Sequence, residues 1–252
     1  MFAGRPFHFG LTVGDNFYMS GVKSLKDKHW KCSWDDQYAR FSIPFFATLG
    51  NHDTRGKAEV QVQRAGAGGF WMPARYYTYR AGPIQFFALD TDEGTTESKF
   101  LRLPIGKPWS QSQLDWLKQK LTEHSTAPWK IVYGHHPIFT SGEHGVDARP
   151  KYFREKVLPL LKQMKVDVYI SGHDHHMEYL ENNGIQYFIS GGGGRELREP
   201  DHALPPGVTT TAKMKSFGYL VLDADSTKLT VTMKTLQPDG SVKSTPARTL
   251  SK

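Results

Sequence analysis

Four short polar clusters in this chain carry the residue types that bind hard metal ions and move protons. They are Gly14-Asp15-Asn16 followed by Tyr18, then Gly50-Asn51-His52-Asp53, Gly134-His135-His136, and Ser171-Gly172-His173-Asp174-His175. Together they offer Asp15, Tyr18, Asn51, His52, His135, His136, His173 and His175 as oxygen and imidazole donors, with no thiolate. Carboxylate and phenolate oxygens favour Fe(III), Mn or Mg, while imidazole suits Zn, Fe, Mn and Ni. His173 and His175 straddle Asp174, and from a loop each can reach a different ion. Two ions about 3.5–4 Å apart clamp a phosphoryl group and generate a hydroxide nucleophile near neutral pH. A lone histidine pair is more often a core or surface feature than a ligand. Four clusters in one chain, each following an apolar run, reverse that weighting.

The apolar runs are the elements that must position these donors. Phe9 to Val13, Pro44 to Leu49, Trp129 to Tyr133 and Val166 to Ile170 each end at one of the clusters. Each reads as a buried strand feeding a loop. In open α/β sheets ligands bind at the carboxyl ends of strands, where these clusters fall. A helix is predicted over Ser110 to Thr122, with Ser110 as N-cap, Gln113 as its capping-box partner and Leu114, Leu117 and Leu121 on one face. A second helix is predicted over Pro150 to Met164, kinked or shortened by Pro159. Ile185 to Ser190 reads as a strand, and Gly218 to Asp223 with Lys228 to Thr235 as a hairpin around Asp223-Ala224-Asp225-Ser226. The alternation predicts an α/β (α+β) four-layer sandwich, two packed mixed β-sheets flanked by helices.

Composition narrows the class. The 252 residues are 38% hydrophobic and 23% charged, as in an ordinary globular chain, and suit one domain over 1–252. No apolar run reaches the roughly 20 residues of a membrane helix. The longest, Ile84 to Leu89, has strand length. The net charge of +7 is scattered, apart from the solvated segment Lys23 to Lys31. Cys32 is alone, which excludes an intramolecular disulfide, and it reads as a small buried or half-buried apolar residue. Residues Met1 to Phe7 lack the pattern of a signal peptide.

The ordered blocks Gly14-Asp15-Asn16-Phe17-Tyr18, Gly50-Asn51-His52-Asp53, Gly134-His135-His136-Pro137 and Gly172-His173-Asp174-His175 resemble those of the calcineurin-like metallophosphoesterase superfamily. Tyr18, three residues after Asp15, narrows the resemblance to the purple acid phosphatase branch, especially its small tartrate-resistant type. Gly142-Glu143-His144-Gly145 and the stretch Trp71 to Tyr77 are similar to that branch as well. The resemblance covers about residues 8 to 225.

What it implies is a phosphate monoester hydrolase with a dinuclear centre of Fe(III) plus Fe(II), Zn or Mn. Asp15 would bridge the ions. Tyr18 and His175 would bind the ferric ion, with Tyr18 giving a purple charge-transfer colour. Asn51, His135 and His173 would bind the divalent ion. His52 would contact the phosphate and help protonate the leaving alkoxide, with His144 flanking from the opposite side. His136 would stand behind the ligands. His176 and Asp53 are expected to orient neighbours rather than ligate, and Asp53 and Asp174 are candidates to hold the ligating histidine rings. The family also has an earlier Asp-x-Gly block on its first strand, whose Asp binds the ferric ion. No Asp precedes Gly14 here, so the resemblance implies a chain truncated before that block, lacking the first strand and one ligand. The branch suggests a secreted or periplasmic protein. Substrates would be phosphorylated small molecules or phosphoproteins. Three other readings stay open: a phosphodiester or nucleotide hydrolase on the same site, a degenerate non-catalytic metal binder, and a nucleic-acid binder driven by charge, for which no recognition motif is present.

Overall fold

A computed structural model describes residues 7–93, 96–97, 104–105 and 110–252. The chain opens with three two-residue strands, β1 (Gly10–Leu11), β2 (Phe45–Phe46) and β3 (Phe70–Trp71), which pair in parallel in that order. Next come β4 (Tyr77–Ala81), β5 (Ile84–Ala88), a short antiparallel pair β6 (Thr96–Glu97) and β7 (Pro104–Ile105), and then β8 (Trp129–Tyr133) and β9 (Val168–Ser171). The remaining strands are β10 (Met177–Asn182), β11 (Ile185–Ser190), β12 (Thr209–Met214), β13 (Gly218–Ala224), β14 (Lys228–Leu236), β15 (Val242–Ser244) and β16 (Arg248–Ser251).

The principal sheet has seven strands in the order β12-β10-β11-β9-β8-β5-β4. Its centre, β11-β9-β8-β5, is parallel, and both flanks are antiparallel. The central strands alternate between two cores. Phe86 and Ala88 of β5 and Ile131 and Tyr133 of β8 face one way, whereas Phe87 and Val132 face the other. Burial on both faces is why these strands read as unbroken apolar runs. On the Phe87 side lie α4 (Gln111–Glu123), contributing Leu117 and Leu121, and a helix built from α5 (Ala148–Tyr152), a π-helical stretch Phe153–Val157 and α6 (Leu158–Gln163). The π-helical stretch lies immediately before α6, whose second residue, Pro159, has no N–H for the i−4 carbonyl. Among the described residues no helix is long and apolar enough to cross a membrane.

On the Phe86 side the second β layer is divided. The parallel β1-β2-β3 sheet and an antiparallel sheet of β13 to β16 share one core with the principal sheet. The architecture is therefore the expected helix-flanked mixed sandwich, with its second layer in two pieces. A π-helical turn at Trp30–Asp35 leading into α1 (Asp36–Tyr38) covers the small parallel sheet with Trp30 and Trp34. Cys32 sits on that turn and is exposed, contrary to the expectation of burial. Trp30 and Trp34, four residues apart, occupy the inward face, and Cys32 midway between them points away.

One local expectation is corrected. Ser110 does cap α4, accepting from Gln113 N at 3.3 Å, but Gln113 does not return the bond. Its amide instead accepts from Asp90 N at 3.0 Å and donates to Asp90 O at 3.1 Å, tying α4 to the end of β5. The predicted hairpin forms, with Ala224 opposite Leu229, and its turn is closed by Asp225, whose carboxylate accepts from Thr227 N and Lys228 N.

Candidate metal centre

Four strand ends deliver the donors. The turn after β1 carries Asp15 and Tyr18. The segment after β2 enters α2 (Asn51–Thr54), which begins with Asn51 and His52 and is followed by α3 (Ala58–Gln63). His135 follows β8, and His173 and His175 follow β9. The first two loops pack backbone against side chain. A Cβ on Gly50 would lie 2.2 Å from Asp15 Oδ1, so only glycine lets Asp15 approach. Asp15 and His173 hold left-handed backbone, φ 55° and 69°, a conformation that costs a non-glycine residue roughly 1–2 kcal/mol.

The predicted ligands converge. Tyr18 Oη donates to Asp15 Oδ2 at 2.8 Å and lies 3.4 Å from His175 Nε2. His135 Nε2 lies 3.1 Å from Asn51 Oδ1, 3.1 Å from His173 Nδ1 and 3.4 Å from Asp15 Oδ2. Asp15 thus touches both groups of donors. The ring tautomers are set from behind by carbonyls. His135 Nδ1 faces Val13 O at 2.8 Å and His175 Nδ1 faces Glu196 O at 2.9 Å. A carbonyl only accepts, so each Nδ1 carries the hydrogen and each Nε2 points its lone pair into the cluster. His135 Nε2 then turns its lone pair toward Asn51 Oδ1 and Asp15 Oδ2, two oxygen acceptors that an intervening cation would reconcile with it.

Electrostatics agree with that fit. Burial pushes the His173 imidazole well below its usual pKa, and His135 and His144 add to the effect, so His173 is held in the neutral form that coordinates. Burial alone would raise the Asp15 carboxyl. The interaction with His135, the N–H of His52 at 2.9 Å and the Tyr18 hydroxyl outweigh it and hold the group below the ordinary carboxylate value. Burial and the charge of Asp15 together push the Tyr18 phenol upward.

His52 and His144 stand on either side of this cluster. The His52 ring lies 4.4 Å from the Tyr18 ring, and its Nδ1 is 2.7 Å from Met19 O. The His144 ring lies 4.2 Å from that of His173; its Nδ1 meets Asp147 Oδ2 at 2.8 Å, and Arg198 Nη1 approaches its Nε2 at 3.1 Å. His135, His136 and His173 also bring ring nitrogens within 4.8 Å of one another. His136, however, is buried with Nδ1 on Thr91 Oγ1 at 2.9 Å and the Arg149 guanidinium beside it. Burial and Arg149 push its pKa well below normal. A neighbouring guanidinium disfavours a cation there, which leaves His136 behind the predicted ligands.

Neither Asp53 nor Asp174 holds a histidine ring, contrary to the sequence-based expectation; the backbone carbonyls do so. Asp53 instead accepts from Gly50 N at 2.8 Å, Asn16 N at 3.1 Å and Gln61 Nε2 at 3.0 Å, fastening the first two loops together. Asp174 accepts from Thr140 Oγ1 at 2.7 Å. Sequence reasoning also missed a fifth strand end. After β5, Thr91 Oγ1 accepts from the backbone N–H of His135 and of His136, at 3.1 and 3.0 Å. Asp92 accepts from Thr54 on α2 and from Arg149 on α5, the latter at 2.6 Å. This turn joins the Asn51 loop to the His135 loop. Its signal was the one used elsewhere, an apolar run ending in polar residues, but without a histidine to draw notice.

The model of the calcineurin-like phosphoesterase family matches residues 4–177. Purple acid phosphatase 7 of Arabidopsis thaliana is 34% identical over 200 residues, which are 74% of this chain and 60% of that protein. Tartrate-resistant acid phosphatase type 5 of Oryctolagus cuniculus is 32% identical over 203 residues, 74% of this chain and 61% of that one. The chain thus spans about 60% of the length of these curated relatives. Among solved structures, GAP50, the anchor in the inner membrane complex of Plasmodium, matches with a TM-score of 0.76 at 23% identity, covering 96% of this chain and 78% of that one. The purple acid phosphatase from yellow lupin (Lupinus luteus) seeds matches with a TM-score of 0.66 at 21% identity, covering 96% and 46%. The structural matches speak for the fold alone.

Proposed function

The chain belongs to the calcineurin-like phosphoesterase family, and from that premise we propose that it hydrolyses phosphate monoesters at a dinuclear metal centre. The observation that carries the proposal is the convergence of Asp15, Tyr18, Asn51, His135, His173 and His175, with the lone pairs of His135 and His175 turned inward by carbonyls that fix their ring hydrogens on the far side. Tyr18 and His175 would hold one ion, Asn51, His135 and His173 the other, with Asp15 between. The phenolate and carboxylate oxygens suit Fe(III) at the first position, and the imidazole-rich second suits Fe(II), Zn or Mn. Such a pair, when bound, supplies Lewis-acid stabilisation of phosphoryl charge and lowers the pKa of the attacking water.

The chain's own groups handle the leaving oxygen. His52, with Nδ1–H given to Met19 O, has Nε2 left to carry a proton toward the alkoxide. His144 is oriented on the other flank by Asp147 at its Nδ1. Protonating a leaving oxygen is typically worth about 10²–10⁴ in rate. The substrate class proposed is a phosphorylated small molecule or phosphoprotein.

Metal analysis, a visible spectrum and turnover of p-nitrophenyl phosphate beside bis-p-nitrophenyl phosphate test this together. The expected result is two metals per chain, preference for the monoester, and an absorption band lost in Tyr18→Phe. His52→Ala should lower turnover of the monoester about a hundredfold or more. Preference for the diester moves the assignment to a phosphodiesterase. Metal-replete protein without turnover of either ester overturns the proposal in favour of a binding role.

A further inference from the structure

The segment from His173 to Glu178 has two sides. His173 and His175 turn toward the donor cluster. Asp174, His176 and Glu178, the alternate residues, turn away from it and are fully buried. Their carboxylates bind one object, the loop of residues 140 to 144 that carries His144. Glu178 accepts from Ser141 N at 2.9 Å and from Ser141 Oγ at 2.5 Å. Its Oε2 is also 3.1 Å from His176 Nε2. Asp174 accepts from Thr140 Oγ1 at 2.7 Å and faces His144 N at 3.4 Å. The loop sits so close that a Cβ on Gly142 would lie 2.4 Å from the Asp174 carboxyl carbon. Ser141 O accepts from His202 N at 2.9 Å, closing the third side.

Burying two carboxylates for a surface loop is costly unless every oxygen is satisfied. Here the partners, apart from the His176 ring, are backbone and hydroxyl groups within four residues of His144. His144 itself is a quarter exposed. Asp147 and Arg198 meet its ring, while its backbone is placed by the loop, whose His144 N faces Asp174.

We propose that Glu178 is a positioning residue for the proposed proton-transfer chemistry. Through Ser141 it fixes the loop so that the His144 ring stands next to the metal-ligating edge of His173. The same short segment would then supply two ligands from one face and, from the other, set the histidine that flanks the leaving group opposite His52. This inference rests on the reading of His144 given above.

The test uses the metal-loaded protein and a series of phosphate monoesters from 2,4-dinitrophenyl to alkyl. A dinitrophenolate leaves without help, whereas an alkoxide needs a proton. Glu178→Gln is expected to lower kcat for alkyl phosphates by about a hundredfold, the scale of an ångström-level displacement. Dinitrophenyl phosphate should change less than about threefold, with KM, metal content and visible spectrum retained. His144→Ala should steepen the same dependence, and the double variant should be no worse than His144→Ala alone. In the metal-free protein, amide exchange at Ser141 to His144 should quicken in Glu178→Gln while β10 stays protected. Equal loss on all substrates, or additive loss with His144→Ala, overturns the proposal. If Glu178→Gln does not fold, Ser141→Ala is read by the same criteria. A metal-loaded wild type that turns over no phosphate ester overturns the underlying reading, and one that turns over with an unchanged leaving-group dependence in both variants overturns this inference alone.

Discussion

At Asp53, two backbone N–H groups and a glutamine amide favour the charged carboxylate, while complete burial and the neighbouring Asp15 favour the protonated acid. Burial wins, pushing the pKa up from 3.8 to about 7. A raised pKa means that the folded state holds a proton the unfolded chain has released. The resulting stability is fully present below about 3.8 and lost as pH rises through about 7. Unfolding of the metal-free protein by urea, followed from pH 4.5 to 8, should show wild type losing stability relative to Asp53→Asn across that window. A difference that stays flat with pH would show that the carboxyl is ionised throughout. The same residue illustrates what sequence could and could not reveal. Asp53 was legible as an orienting group, because it sits in a cluster of donors. What it orients was not legible, since its partners are backbone amides of Gly50 and Asn16, which no residue type encodes.

At the scale of elements, β5 and β8 carry the joint between layers. Phe86 is 1% exposed, stacks on Tyr79 at 5.1 Å and meets Phe9 edge-on at 5.6 Å. Truncating Phe86→Ala should cost about 3–5 kcal/mol in unfolding free energy, measured by denaturant titration. A loss below about 1 kcal/mol would mean that the layers close over the gap. Strands of this kind were readable because burial on both faces writes an unbroken apolar run, as in Trp129 to Tyr133. The clusters that end such runs were readable for the same reason. The division of the second layer was not, since β1, β2 and β3 are two residues each and pair only through tertiary contacts. Gln113 fits the local capping pattern, yet its amide is taken by a long-range pair of bonds to Asp90 that the pattern does not encode. The π-helical stretch at Phe153–Val157 is a milder version of the kink expected at Pro159.

For the whole molecule, the donors span two sheets. Asp15 and Asn51 follow strands of the small parallel sheet, while His135 and His173 follow strands of the principal one. Metal bound across that joint stabilises only the assembled layers, so chelation should lower the melting temperature. At a metal concentration about a hundredfold above Kd, linkage gives roughly 2.7 kcal/mol, or about 5–10 °C for a chain of this size. Equal melting with and without chelator would separate the donors from any bound ion. The spread of the donors along the chain has a second consequence. Asp15 leaves the ribosome long before His175, and no fragment ending between them holds the whole donor set. Loading with metal is then a report on the finished chain. A metal-replete preparation would then certify that both halves have folded against each other.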